Sequence, residues 1–330
     1  MGILRKIIYF LLLFLFLLFS AILAISMGAV QIPFLDVVKA LCGLSDVVTK
    51  AIVVNIRAAR VILAIGTGIA LSTSGAVVQS IFQNPLAEPY ILGISAGSVF
   101  GVMVSLLLFP NYPFSNQLLS FLFAIATILT VYRIAGVGGS IQPSTLILAG
   151  IAITALFSAV TSYLIYAYFS KNIANILFWT MGGFWQANLV YALAVVFVAL
   201  ACATGMMLFW RQLNAMALGD GFATSVGVDV GRTRFILIMV VSLCVSFAVS
   251  FTGIIGFVGL VVPHIARMIG GADHKNLLLF SGLLGAILLL WADTLARTIV
   301  YGEEIPVGII TAILGVPFFL YLLVRRRRLC

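Results

Sequence analysis

Long apolar stretches separated by short polar ones run the whole length of the chain. Runs with few or no charges appear near residues 7–29, 61–82, 91–109, 117–132, 144–168, 190–209, 276–296 and 306–324. Most approach the roughly 20 residues that a helix needs to cross a bilayer, and none shows the strict alternation of outer-membrane barrel strands. One further run, Phe235 to Ala266, contains no Asp, Glu, Lys or Arg. As a single helix it would extend about 48 Å against a hydrocarbon core of about 30 Å. Gly253, Gly256 and Gly259 in "TGIIGFVG" supply a turn that divides it into spans near 235–252 and 258–267. The pattern therefore predicts an all-α integral membrane protein with ten transmembrane helices in a single domain, residues 1–330.

Composition agrees with that reading. Hydrophobic residues make up 63% of the chain and charged ones only 8%, with a mean hydropathy of +1.26. A soluble fold of 330 residues cannot enclose so much apolar surface. The first run follows Arg5 and Lys6 but is too long for a signal h-region, and "AISMGAVQIPF" after it is a poor cleavage site, so it is expected to remain as a span. Cys42, Cys202, Cys244 and Cys330 have no metal-ligand spacing.

Charge sets an orientation. Both termini are basic, with Arg5 and Lys6 at one end and Arg325 to Arg328 at the other, which favours the cytoplasm and demands an even number of spans. Ten spans then put Arg133, Arg211, Arg232, Arg234, Arg267 and Lys275 inside as well. Lys39, Lys50, Arg57, Arg60, Lys171 and Arg297 fall outside. The net charge of +9 is thus mostly an orientation signal, and no nucleic-acid partner is expected.

Three segments interrupt the apolar pattern. "QNPLAEPYILGISAGSVFG", residues 83–101, carries Asn84, Pro85, Leu86 and Pro89 and then Gly93, Gly97 and Gly101 at intervals of four. The prolines stop one helix, and the glycines form a face that lets a neighbouring backbone approach. The segment reads either as a tight cytoplasmic loop with a close-packed short helix or as a gate lining a cavity. "LNAMALGDGFATSVGVDVGRTR", residues 213–234, lies in the longest cytoplasmic loop, between spans 6 and 7. Leu213, Met216, Ala217, Phe222, Ala223 and Val226 suit one or two short amphipathic helices, broken at Gly219 and Gly221 and closed by Gly227. Their apolar face would seat in a cytoplasmic partner or lie on the membrane. At the outer face, Arg57, Arg60 and Arg297 run against the orientation rule, either to receive carboxylates of an external partner or, for Arg297, to pair with Asp293 at i, i+4. Residues 173–188, beside Lys171, read either as a short helix at the outer membrane interface or as a plain aromatic anchor.

The chain has no P-loop, and the spans carry almost no ionisable side chain at mid-depth apart from His264. Energy for uphill transport is expected from another subunit. A secondary transporter or channel working alone is the alternative.

"RAARVILAIGTGIALSTSGAVVQSIFQNPLAEPYILGISAGSVFG", "LGDGFATSVGV", "GFVGLVVPHIARMIGG" and "IPVGIITAILGVPFFLYLL" together resemble the FecCD-like permeases. These are membrane subunits of bacterial and archaeal ABC importers for iron-siderophore complexes, haem and vitamin B12. The resemblance implies a type II ABC importer permease architecture, a homodimer, two cytoplasmic ATPase subunits that hold ATP and Mg, and an external substrate-binding protein. This chain itself would hold no cofactor, perform no covalent chemistry and reside in the cytoplasmic membrane. Arg57, Arg60 and Arg297 match the arginines that dock the binding protein. Met216, Leu218, Gly219, Asp220, Phe222, Ala223, Val226 and Gly227 match the ATPase-coupling segment. Asn84, Pro85 and Leu86, with Ser144 and Thr145 at the start of span 5, resemble the cytoplasmic gate.

Overall fold

The computed structural model describes residues 3–28, 32–112, 114–137, 142–168, 173–300 and 303–327, and these are all-helical. Lys171 lies outside the described residues. The helices are α1 (Ile3–Ser26), α2 (Phe34–Leu41), α3 (Val47–Lys50), α4 (Ala59–Ile81), α5 (Ile94–Leu108), α6 (Ser115–Ala135), α7 (Pro143–Tyr168) and α8 (Ile173–Thr180), followed by α9 (Leu189–Leu208), α10 (Trp210–Ala217), α11 (Asp220–Ser225), α12 (Val230–Thr252), α13 (Val258–Gly270), α14 (His274–Thr298) and α15 (Val307–Arg327). Among the described residues, seven helical stretches are long and apolar enough to cross a membrane, and α5, α13 and α15 are shorter apolar helices. These ten coincide with the ten expected spans. The 32-residue uncharged run divides where expected: α12 stops at Thr252, Gly253 takes φ +66°, and α13 begins after Phe257.

Sequence explains most boundaries. Asn188, Asp229 and Asp273 cap α9, α12 and α14, each side chain accepting a first-turn backbone N–H. Gly93, at φ +82°, ends the 3-10 turn Pro89–Leu92 and starts α5, a conformation that a side chain would strain. One feature carried no sequence signal: Ala51–Ala58 forms a π-helix that runs directly into α4, so the apolar helix extends without interruption from Val47 to Ile81.

The bundle is organised around α4, which is buried along nearly its whole length. Small residues make this possible. A Cβ on Gly68 would overlap the Gly285 carbonyl of α14, and one on Gly75 would overlap the Gly259 carbonyl of α13. The hydroxyls of Thr67, Ser72 and Thr73 turn back onto the carbonyls of Leu63, Gly68 and Ile69, so these three polar groups need no distant partner. α5 packs against α6 in the same way, with Gly97 against Phe123 and Thr127 and Gly101 against Leu119 and Ser120.

The contacts define two ends of the bundle. At the basal end lie α10, α11, the C-termini of α4 and α13, and the N-terminus of α14. The distal end holds the C-termini of α1 and α14 and the start of α4.

Candidate functional site

At the basal end, α10 and α11 form a bent pair joined at Gly219, whose φ of +118° permits the turn. Leu213, Met216 and Ala223 are fully buried and fasten the pair to the bundle. Leu218, Phe222 and Val226 are 71%, 47% and 55% exposed, and nothing lies within 4 Å of the positions that Cβ atoms on Gly219, Gly221 and Gly227 would take. The apolar face read from the sequence is therefore two faces. Met216 and Ala223 belong to the chain's own core, while Leu218, Phe222 and Val226 form an uncovered ridge. Periodicity cannot separate the two because both are apolar.

Polar links tie the pair to the helix ends beneath it. Arg234 of α12 donates to both oxygens of Asp220 at 2.8 and 2.7 Å, and Gln83 Nε2 donates to the same carboxylate at 3.3 Å. Asn214 of α10 accepts from the backbone N–H of His274 at 2.9 Å and meets its Nδ1 at 2.6 Å, while the other ring nitrogen meets the Ser80 hydroxyl near the end of α4. Hydrogen bonds thus connect α10 and α11 to the residues that shortly precede Asn84.

Asn84 folds the following turn on itself. Its backbone N–H donates to Gln79 O, its side-chain oxygen accepts from Leu86 N at 3.0 Å, and its carbonyl accepts from Ala87 N. Pro85 and Leu86 are partly exposed. Ser144 is exposed and Thr145 partly so at the start of α7, and among the described residues no hydrogen bond joins them to the turn. Both halves of the expected gate are thus at least partly exposed on the protomer.

The chain beyond Leu86 corrects the idea of a simple cytoplasmic loop. Glu88 Oε1 accepts from Phe257 N at 2.8 Å, and Tyr90 Oη donates to Ile255 O at 3.2 Å. Phe257 caps the N-terminus of α13, whose opposite end is basal. Thirteen residues put that cap about 20 Å from the basal end. Residues 88–93 therefore fold back into the protein, and the segment that leads into α5 meets the N-terminal cap of the broken helix α13. Gln79 ties α4 to the same helix α13, donating to Gly259 O and Leu260 O and accepting from Arg267.

At the distal end the three arginines converge. Arg57, Arg60 and Arg297 are only 4%, 6% and 8% exposed. Arg57 donates to the carbonyls of Ile25 and Ser26, and Arg297 to those of Ala24 and Met27, so both close the C-terminus of α1. Arg60 pairs with buried Asp293 at 2.7 Å and with both oxygens of Glu304 at 2.7 and 2.8 Å. Asp293 also lies 3.1 Å from Arg297 Nε, the i, i+4 contact that its spacing allows. Sequence reasoning missed Glu304 and the α1 carbonyls, since no local pattern announces either. No group of His, Cys, Asp and Glu that could hold a metal occurs among the described residues.

The model of the FecCD transport family matches residues 15–325. The chain belongs to the FecCD transport family. A FecCD relative, the cobalamin import permease of Halobacterium salinarum, is 41% identical over 83% of this chain and 73% of its own length. The hemin transport permease of Yersinia pestis is 39% identical over 83% of each chain. A solved structure of the metal-chelate type of ABC transporter, in an inward-facing conformation, superposes with a TM-score of 0.85 at 30% identity, covering 96% of this chain and 99% of that one. This FecCD chain is a multi-pass permease subunit of an ABC importer. It is not itself an enzyme, because in this family the ATPase is a separate subunit.

Proposed function

We propose that the chain acts as a homodimer that passes a bulky metal chelate, of the cobalamin, haem or iron-siderophore kind, into the cytoplasm by alternating access. The basal end faces the cytoplasm, with both chain termini on that side. Two ATPase subunits holding ATP and Mg seat on the ridge of Leu218, Phe222 and Val226, and a substrate-binding protein docks at the distal end. The observation that carries this reading is the uncovered ridge fastened through Asp220 and Asn214 to the Asn84 turn. A partner that closes on the ridge moves the gate with it. α7 supports the dimeric reading, because Leu148 and Tyr166 are among its strongly exposed side chains.

Docking through the arginines requires one exchange. Arg60 already holds a carboxylate, that of Glu304, which is itself 46% exposed. An incoming acidic side chain can take its place without uncovering Asp293.

Charging the ridge tests the coupling role. Phe222→Glu with Val226→Glu should abolish co-purification of the ATPase while the chain still reaches the membrane, whereas Met216→Glu should lower the yield of folded chain. An ATPase that remains bound to the doubly charged ridge would overturn the assignment.

A further inference from the structure

A pocket of about 250 Å³ opens between α1, α9 and α14, with α4 behind it. Phe10, Ile69 and Met207 line it, and its two threonines contribute only methyl surface. The Thr73 hydroxyl is turned back to Ile69 O at 2.7 Å and that of Thr204 to Leu200 O at 2.8 Å. Gly282 supplies the missing volume: a Cβ there would meet the Thr73 and Ile69 methyl groups at 3.6 and 3.8 Å. The mouth is flanked by Leu200 and Leu279, 50% and 43% exposed. It therefore faces the acyl chains of the bilayer.

The basal rim is cationic. Lys6 precedes Phe10 by four residues on α1, and Lys275 precedes Leu279 by four on α14. Each lysine is thus rooted about one helical turn, some 5 Å along the helix axis, on the basal side of the slot. Lys6 Nζ lies 3.9 Å from the position a Cβ on Gly271 would take, which brings it beside the start of α14. Neither lysine has an ion pair among the described residues. The nearby carboxylate, Asp273, is turned instead to the side chains of Asn214 and Asn276 and the backbone N–H of Lys275.

We propose that this pocket binds one anionic phospholipid of the basal leaflet, with an acyl chain in the slot and the headgroup phosphate between Lys6 and Lys275. A dry slot topped by two cations without counter-charges is the complement of such a molecule, and basic pockets between spanning helices on the cytoplasmic side select acidic headgroups. Only the naming of the leaflet rests on the orientation proposed above. The site itself does not depend on transport.

The test is lipid retention and thermal stabilisation of the purified full-length chain in mild detergent, titrated with phosphatidylglycerol or with phosphatidylcholine bearing the same acyl chains. Phosphatidylglycerol should raise the Tm and be retained at about one molecule per chain, and phosphatidylcholine should do neither. Lys6→Ala with Lys275→Ala should weaken phosphatidylglycerol binding roughly 10- to 30-fold. Gly282→Leu should fill the slot and abolish retention with both lysines present. If that variant does not fold, Thr204→Phe fills the same slot from its exposed side and makes the same prediction. Equal effects of the two lipids, or unchanged discrimination in the double lysine variant or a filled-slot variant, would overturn the proposal.

Discussion

The carboxylate of Glu88 accepts the backbone N–H of Phe257 across 169 positions of sequence. That bond joins the turn after α4 to the cap of α13. Glu88→Ala leaves the N–H of a helix N-terminus without its acceptor and should lower stability by about 1–3 kcal/mol. Glu88→Gln keeps an acceptor oxygen and should retain most of the stability. Thermal unfolding of the solubilised chain separates the two, and equal losses would mean that charge matters more than the hydrogen bond.

Asp293 and Glu304 both neutralise Arg60 but should not be equivalent. Asp293 is 1% exposed and serves Arg297 as well, so Asp293→Ala should cost about 3–5 kcal/mol by leaving buried guanidinium groups without their counter-charge. Glu304 is half in solvent, and Glu304→Gln should cost less than about 1 kcal/mol. The second substitution also frees Arg60. If an external binding protein uses that arginine, the concentration needed to stimulate the partner ATPase should fall in Glu304→Gln, and a rise would count against docking there.

Asp220 links α11 to Arg234 and Gln83. Asp220→Ala leaves the Leu218, Phe222 and Val226 ridge in place, so the ATPase should still co-purify. Transmission to the Asn84 turn should weaken, so that more ATP is hydrolysed per solute moved in proteoliposomes. An unchanged ratio would show that Asn214 and His274 carry the linkage alone.

Two glycine substitutions should act in opposite directions. Gly68→Ala drives a methyl group into the Gly285 carbonyl and should sharply reduce the yield of folded chain, since backbone cannot yield as a flexible side chain can. Gly221→Ala lies in α11 with nothing within 4 Å and should raise the stability of the isolated chain by up to about 1 kcal/mol. Tm values and membrane yields check both.

The helices were readable because crossing a bilayer demands length and apolarity, and the glycines at 253–259 gave away the break between α12 and α13. What could not be read was which surface each residue meets. Met216 and Phe222 are both apolar members of one amphipathic segment, yet one is core and the other exposed. The i, i+4 spacing of Asp293 and Arg297 announced their contact, whereas the partners Glu304 and Phe257 stand 244 and 169 residues from Arg60 and Glu88. The π-turn before α4 likewise left no mark in composition, because Ala, Ile and Val suit an ordinary helix equally well.

The backbone contacts of Gly68 with Gly285 and of Gly75 with Gly259 leave no room for side-chain rearrangement between α4, α14 and α13. These three helices should consequently keep their packing against one another and serve as one reference axis through a transport cycle. Paired spin labels on the outer surfaces of α13 and α14 should report one constant separation in every nucleotide state, and any change in solute access must be sought as displacement of other helices relative to that axis.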